Sequence, residues 1–348
     1  QQTARLGRDG GRHLNPVRLR FGRWDLLGPL GHSAQSEVFR AQARDDAPAA
    51  PQQVSPPIPP PIPPPQVVAV AVKRLLPHLA DDAACRASLR HEAAALVAVD
   101  GWPAPRLLAL DAEAALAPLP HLVRSYIAGS PLVALRGAPL AVRQAAAHAT
   151  LSALAALHGR GASCGDVAPG NVVVAGDGRA WLIDLGLADA PELAVRPPSG
   201  LATAGFASPE VVAGGRPDRA SDVFAVAALV RWLWAQGDES APPPAPATTA
   251  FEADFAALLM DAGHLDPLQR PIVARLACAC PVGDRQALVQ WVGLAQVQAQ
   301  ASSSSSSSSP LASAAEDRGE YVTGRDDDGA CVVVDAAAAA QLLASLSR

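Results

Sequence analysis

The sequence is poor in aromatic residues and in patterned cysteines, and it has no long apolar run. Aromatic side chains make up 4% of the 348 residues. The five cysteines form no C-x-x-C pair, so a reduced intracellular setting fits them better than a disulfide scaffold does. No run reaches the length of about 18 apolar residues that a membrane span needs. The longest candidate, 224–235, is short and contains Arg231.

An excess of positive charge is also missing. The formal net charge is −5, so no basic face is predicted and nucleic acid is not an expected partner. Together these absences favour a cytoplasmic protein. Residue 1 is Gln rather than Met, and we therefore expect the natural chain to begin further upstream.

Hydrophobic residues, by contrast, are abundant. They make up 49% of the chain, which is enough for one large domain or for two lobes with a substantial core. Strand patterns come first and helix patterns second, which predicts an α+β fold with a small sheet lobe and a larger helical lobe. We place an N-terminal tail at 1–22, the sheet lobe at 23–121, the helical lobe at 122–300, and a Ser-rich linker with a C-terminal extension at 301–348.

The periodicity of apolar residues predicts the individual elements. The expected strands lie within 23–41 (strand, turn, strand), 67–76, 121–129 and the hairpin 171–186. The expected helices lie at 87–99, at 141–161 and over most of 205–300, and the extension adds a strand at 331–334 and a helix opened by Asp335.

A Pro-rich insert interrupts the sheet lobe at 45–66. Proline cannot donate to a strand ladder or sit inside a helix, so we expect an extended, largely polyproline II segment. Two uses are open. The segment is a semi-rigid surface loop, or it is a ligand for an SH3-like groove on a partner protein.

Two polar side chains stand directly before a Val-rich strand in C-G-D-V-A-P-G-N-V-V-V, namely Asp166 and Asn171. Phosphoryl transfer needs a carboxylate that accepts the proton of the incoming hydroxyl. It also needs hard oxygen ligands for Mg²⁺, which takes few protein ligands. An Asp-x4-Asn loop supplies the carboxylate and one ligand, and Asp184 in the later D-L-G supplies a second.

The ordered motifs over roughly 24–297 resemble a bacterial serine/threonine protein kinase of the eukaryotic-like type. They are A-V-K ending at Lys73, a helical Glu92, the loop with Asp166 and Asn171, D-L-G at Asp184, and S-P-E ending at Glu210. The resemblance implies a two-lobed kinase fold, ATP and Mg²⁺ as cofactors, and a protein hydroxyl as substrate.

The resemblance also implies roles for single residues. Lys73 would hold the α- and β-phosphates and pair with Glu92, Asp166 would accept the substrate proton, and Asn171 and Asp184 would bind the metal. The nucleotide would further contact Leu30, Gly31, Val38 and Ala71.

Three further residues would hold the helical lobe together. Glu210 would be a buried anion paired with an arginine late in the chain, for which we prefer Arg285 and place Arg270 second. Asp222 would lie at the start of the central helix and bind the backbone of the loop that contains Asp166; a plain helix N-cap is compatible with that position.

The phosphate-binding loop departs from the family pattern G-x-G-x-x-G-x-V. Here it reads G-H-S-A-Q-S-E-V from Gly31, with Ser33 and Ser36 at the second and third glycine positions. A non-glycine residue in left-handed geometry costs about 1–2 kcal/mol. We therefore expect ATP affinity roughly ten- to thirtyfold weaker if both serines must adopt that geometry.

The catalytic loop departs as well. Cys164 and Gly165 replace the usual His-Arg, and neither Ala168 nor Gly170 supplies the cation that other kinases place near the transferred phosphate. Without the arginine, we expect activity that is independent of phosphorylation at Ser199 or Thr203 and that survives replacing both with Ala.

Arg124 falls behind the adenine site, and the sequence names no partner for it.

Three functions remain open from the sequence. The first is an ATP-dependent protein serine/threonine kinase. The second is a non-enzymatic pseudokinase that serves as a binding module or scaffold, favoured by the altered loops. The third is a small-molecule phosphotransferase, because G-D-V-A-P-G-N resembles the loop of aminoglycoside and choline kinase-like families.

Overall fold

The computed structural model describes residues 19–43, 69–191, 193, 200–235 and 250–305. The Pro-rich insert, Ser199 and the strand and helix predicted for the C-terminal extension lie outside these ranges. Within them, no helix combines the length and the apolar character that crossing a bilayer requires.

A six-stranded antiparallel sheet forms the smaller lobe. Its strands are β1 (Leu19–Phe21), β2 (Trp24–His32), β3 (Ser36–Ala43), β4 (Ala69–Leu75), β5 (Leu107–Asp111) and β6 (His121–Ser125), in the spatial order β1-β2-β3-β4-β6-β5. The helix α1 (Ala83–Val99) crosses from β4 to β5. It begins where the Asp82 side chain accepts a hydrogen bond from the Cys85 backbone N–H at 2.8 Å.

The two faces of this sheet pack differently because strand side chains alternate. Val70, Val72 and Val123 close a small cluster on one face. Leu75 and Leu122 on the other face join the large core that includes α1 and the helical lobe. Lys73 is in register with Leu122, so its side chain leaves the sheet on this second face, towards α1.

The larger lobe is helical. It contains α2 (Leu140–Gly159), α3 (Pro209–Val212), α4 (Arg219–Trp234), α5 (Ala250–Ala262), α6 (Val273–Ala279) and α7 (Arg285–Ser305). A three-stranded sheet also belongs to this lobe: β7 (Gly129–Pro131) precedes α2 in the chain, and β8 (Val172–Ala175) and β9 (Ala180–Leu182) follow it.

The helix α4 is the centre of this lobe and is buried nearly all round. Asp218 and Ser221 exchange side-chain and backbone hydrogen bonds at its start, forming a capping box. At its other end, the buried Arg143 of α2 donates to the carbonyls of Leu233 and Trp234 at 3.0 and 2.9 Å. Both ends of α4 are therefore fixed by hydrogen bonds, although its surroundings are apolar.

The two-lobed α+β architecture predicted from the sequence is confirmed. Several boundaries differ. β1 lies inside the predicted tail, and β5 and β7 fall in segments with no predicted strand. The helix α7 runs past residue 300 to Ser305, into the Ser run expected to be a linker. Serine is only mildly unfavourable in a helix, so the helix already begun can continue through it.

Candidate active site

The candidate catalytic residues meet where the two lobes face each other. Lys73 comes from β4 and Glu92 from α1, while Asp166 and Asn171 lie in the loop between α2 and β8. Asp184 lies two residues after β9. Lys73 and Glu92 therefore project from regular elements of the smaller lobe, while the other three residues lie in loops of the larger lobe.

Lys73 joins the two lobes through two carboxylates. Its Nζ donates to Glu92 Oε2 at 2.6 Å and to Asp184 Oδ2 at 3.1 Å. Burial alone would lower the pKa of Lys73, but the charges of Asp184 and Glu92 raise it above its ordinary value. The ammonium is therefore charged at neutral pH, and the ion pair predicted between Lys73 and Glu92 is present.

Asp184 remains ionised in this setting. Its Oδ1 accepts the backbone N–H of Gly186 at 2.9 Å. Burial would raise the pKa of this carboxyl, but the positive charges of Lys73 and Arg124 hold it below its usual range. An ionised carboxylate at the mouth of the cleft is a suitable ligand for a hard cation.

Asp166 is held by three hydrogen bonds to its carboxylate. Asn171 Nδ2 donates to Oδ2 at 2.8 Å. Thr203 donates through its backbone N–H to Oδ1 at 2.8 Å and through its hydroxyl to Oδ2 at 2.9 Å. Burial raises the pKa of Asp166 to about 6, against the lowering effect of these donors. The carboxyl is thus oriented, and a base with a raised pKa accepts a proton more readily than an ordinary aspartate does.

Asn171 fits the proposed metal site through the chemistry of its amide. Its nitrogen donates to the Asp166 backbone carbonyl at 3.1 Å and to Asp166 Oδ2. That orientation leaves the amide oxygen of Asn171 as the group for a cation. One amide oxygen and one carboxylate match the small protein ligand set that Mg²⁺ takes.

Asp222 fixes the start of the catalytic loop, as the resemblance implied. Its Oδ2 accepts the backbone N–H of Cys164 at 2.7 Å and His158 Nε2 at 2.8 Å, and its Oδ1 accepts the N–H of Gly165 at 2.8 Å. The side chain that caps α4 is Asp218, so Asp222 is not a plain N-cap. A buried carboxylate thereby ties α4 to the loop that carries Asp166.

The partner of Glu210 is a correction to the sequence analysis. Arg270 forms a bidentate pair with Glu210: Nη1 donates to Oε1 at 2.6 Å, and Nη2 donates to Oε2 at 2.8 Å. Arg285, the preferred candidate, instead donates to the backbone carbonyl of Asp177 on the outside of the lobe. The short helix α3 and the turn before α6 lie at the same place in the fold, whereas α7 begins beside the β8–β9 turn.

The phosphate-binding loop corrects a second expectation. The non-glycine residues with positive φ in the described ranges are Asp100 and Ala114, so neither Ser33 nor Ser36 adopts left-handed geometry. The strain expected for these serines is therefore absent. Instead, Ser33 Oγ accepts the backbone N–H groups of Gln35 at 3.3 Å and Ser36 at 3.1 Å. The Ser33 hydroxyl thus accepts hydrogen bonds from backbone N–H groups of the turn with which protein kinases bind phosphate.

The other predicted nucleotide contacts surround this turn. Gly31 is in register with Val38, and Val38 with Lys73, so the three share neighbouring strands. Ala71 is buried on the same face of β4 as Lys73, two residues earlier. Leu30 is exposed at the end of β2. Gly31, Val38 and Ala71 therefore lie on neighbouring strands close to Lys73, and their contact with a nucleotide stays a prediction.

Thr203 has a role that the sequence analysis did not assign. Its hydroxyl is buried and donates to Asp166 Oδ2. This contact argues against the expectation that Thr203 can be replaced by Ala without effect. Independence from phosphorylation stays a prediction, and a buried hydroxyl bonded to a carboxylate is a poor acceptor of phosphate.

The structure explains why the catalytic loop has no arginine at position 165, one of the basic residues that the family pattern has and this sequence lacks. Gly165 has a φ of +81°, and a Cβ there would collide with the backbone carbonyl of Leu187. An arginine cannot occupy that position in this loop conformation. Ala168 is buried, and the donors to the Asp166 carboxylate in the described residues, Asn171 and Thr203, are neutral.

Comparison with known proteins supports the resemblance to protein kinases that the motifs carry. Residues 126–239 match the family model described as "Protein kinase domain". The chain is 30% identical over 219 residues to a probable serine/threonine-protein kinase, PkwA of Thermomonospora curvata, covering 61% of this chain and 26% of the relative. It is 42% identical over 82 residues to the serine/threonine-protein kinase PknL of Mycobacterium tuberculosis, covering 23% of this chain and 21% of the relative. The chain thus spans about a quarter of the length of these relatives.

Proposed function

Because the chain carries a protein kinase domain of the bacterial serine/threonine type, we propose that it transfers the γ-phosphate of ATP to a hydroxyl group of a protein substrate. The observation that supports this most is the joint placement of Lys73, Glu92 and Asp184 opposite an oriented Asp166. We expect the substrate hydroxyl to approach the carboxylate of Asp166.

In this proposal each residue has one task. Asp166 orients the attacking hydroxyl and receives its proton while the new O–P bond forms and the bond to ADP breaks. Lys73, held by Glu92, donates to the α- and β-phosphates. Asn171 and Asp184 would hold Mg²⁺, which would supply positive charge to neutralise the phosphate oxygens.

A pseudokinase is the second candidate, and two observations favour it. The Ser33 hydroxyl occupies amides of the phosphate-binding turn, and Asp166 has neutral donors in the described residues. Such a protein would bind nucleotide and serve as a binding module without transfer. The small-molecule phosphotransferase is less favoured, because the Glu210–Arg270 pair and the Asp222 contacts follow the protein kinase pattern.

The test is phosphate transfer by the purified chain from γ-labelled ATP with Mg²⁺, to itself and to a generic basic protein. We expect Asp166→Asn to lower the transfer rate at least about a hundredfold, the usual contribution of general base catalysis. Asp177→Asn is the matched control, since Asp177 lies at the exposed β8–β9 turn and should transfer at the wild-type rate.

A thermal shift with Mg·ATP, measured on the same samples, separates the alternatives. Ligand that binds the native state raises the melting temperature whether or not it reacts. A shift without transfer would replace the kinase proposal by the pseudokinase. Transfer to a small alcohol but to no protein would favour the small-molecule phosphotransferase, and transfer that persists in Asp166→Asn would contradict the role of that residue.

A further inference from the structure

Arg124 is a buried cation behind the cleft that the proposed mechanism does not use. It lies in β6, is 5% exposed, and stands in register with Ala71 of β4. Ala71 and Lys73 are two residues apart, so Arg124 leaves the sheet on the same face as Lys73. Both side chains therefore point towards α1.

Glu92 receives both of these cations, one at each carboxylate oxygen. Lys73 Nζ donates to Oε2 at 2.6 Å, while Arg124 Nη1 lies 3.7 Å from Oε1. Neither Oε1 nor Nη1 has a hydrogen-bond partner among the described residues, although both are buried. The second contact is thus an ion pair that a small movement would turn into a hydrogen bond.

The four charges balance only when Arg124 is counted. Lys73 and Arg124 are positive, and Glu92 and Asp184 are negative, so the cluster is neutral as a whole. A guanidinium does not lose its proton in proteins, and a buried one needs a counter-ion. Burial raises the pKa of Glu92, which Lys73 and Arg124 oppose. Arg124 therefore remains as a counter-ion for Glu92 when Lys73 turns towards a nucleotide phosphate.

We propose that Arg124 is a positioning residue that holds Glu92, and with it α1, so that Lys73 is free to donate to the phosphates of a nucleotide. Because it concerns how Lys73 meets a nucleotide, this inference rests on the proposed function. Among the described residues, the loss of Arg124 would leave Lys73 as the one cation paired with Glu92, and the cluster of these charges would become negative.

The charge of Arg124, rather than its bulk, is the property that the proposal requires. An aliphatic side chain could fill the space behind the nucleotide without burying an ion. Two substitutions separate these roles. Arg124→Met keeps most of the volume without the charge, and Arg124→Lys keeps the charge with a different shape.

The experiment measures the dissociation constant of Mg·ATP by calorimetry on the full chain. We expect Arg124→Met to weaken binding about tenfold and Arg124→Lys to stay within about threefold of wild type. In a Glu92→Gln background, Arg124→Met should weaken binding less than about threefold, since the pair is already broken. Where transfer is measurable, KM for ATP should rise more than kcat falls, because the contacts of Asp166 are unchanged.

Several outcomes would overturn the proposal. One is wild-type binding by Arg124→Met; another is an equally large effect of this change with and without Glu92→Gln. If Arg124→Met fails to fold by circular dichroism, the double variant without either charge should regain the fold, and its failure to do so also rejects the pair. A wild-type chain that binds Mg·ATP without transfer rejects the proposed function and leaves the role of Arg124 standing. A wild-type chain that binds no nucleotide rejects both.

Discussion

At residue 165 the backbone alone decides which side chain is possible. The φ of +81° and the approach of the Leu187 carbonyl leave no room for a Cβ, and Asp222 accepts the N–H of the same residue. The sequence shows that the family's arginine is missing. It cannot show that the path of this loop excludes any side chain, because that follows from a contact between loops 22 residues apart in the sequence.

Ser33 offers a second case in which a single hydroxyl changes a binding loop. It accepts the N–H groups of Gln35 and Ser36 and hydrogen-bonds with Ser36 Oγ at 3.0 Å. A nucleotide phosphate that uses those amides must displace it. We predict that Ser33→Ala lowers the dissociation constant of Mg·ATP about three- to tenfold, since a net hydrogen bond is worth about 1 kcal/mol. Calorimetric titration of the two proteins measures this.

Ser33→Thr is the matched control, because it keeps the hydroxyl and should bind as wild type does. Alanine is preferred to glycine here, since glycine would add backbone freedom to the loop and confuse the comparison. Equal affinities for wild type and Ser33→Ala would mean that the phosphates do not use these amides.

Several elements whose own sequence has a clear periodic pattern were predicted. An element such as β5, which becomes a strand only by pairing with another segment, was not. The Ala- and Leu-rich periodicity gave α1 and α2, and the β-branched run gave β4. β5 has the sequence LLALD, which suits a helix as well as a strand, and becomes a strand by pairing with β6. The family resemblance implied the pair of Lys73 and Glu92, whereas choosing between Arg270 and Arg285 needed the packing of α3.

The contact between α3 and the turn before α6 depends on Arg270. Its side chain also donates to the backbone carbonyls of His264, Ala220 and Leu265, so one guanidinium joins three segments: α3, α4 and the loop between α5 and α6. We predict that Arg270→Met lowers the free energy of unfolding by about 1–3 kcal/mol, the cost of leaving hydrogen-bonded groups without their partner, because Glu210 is partly exposed and its carboxylate can regain water. Urea unfolding followed by circular dichroism gives the value.

Arg285→Met serves as the control for Arg270→Met, because Arg285 is exposed and donates to one carbonyl. It should cost less than about 1 kcal/mol.

The pH dependence of stability adds a check on the pair of Glu210 and Arg270. Burial would raise the pKa of Glu210, but the hydrogen bonds from Arg270 hold it below the ordinary 4.5. The stabilisation is therefore present above that pH and lost below the lowered pKa, and wild type and Glu210→Gln should converge in acid. A constant difference down to low pH would contradict the pairing.

At the scale of the whole molecule, β3 and β4 are paired in the sheet although the Pro-rich insert separates them in the sequence. β3 ends at Ala43 and β4 begins at Ala69, yet Gln42 and Ala69 are register partners in the sheet. The two strand ends are therefore already adjacent, and a short turn could join them. The Pro-rich insert lies between them in sequence, so the sheet itself gives no reason for its length.

We predict that replacing residues 44–68 by a four-residue turn containing Asn-Gly leaves the sheet and the cleft intact. Closing a loop of about 4 rather than about 25 residues should raise the free energy of unfolding by about 1–2 kcal/mol. The rate of phosphate transfer, or the affinity for Mg·ATP, should stay within about threefold of wild type, because the contacts of Lys73 and Glu92 lie outside the insert. Urea unfolding and calorimetry measure the two quantities.

A scrambled insert of the same length and composition is the control for this deletion. It should match wild type in stability and in nucleotide binding, while a polyproline-binding partner of the SH3-like kind would be lost from both altered chains. If the deletion instead weakens nucleotide binding more than tenfold and the scrambled insert does not, the length of this segment matters to the cleft. If both changes weaken nucleotide binding, the sequence of the insert contributes to the nucleotide site, and the insert is then not solely a site for a partner.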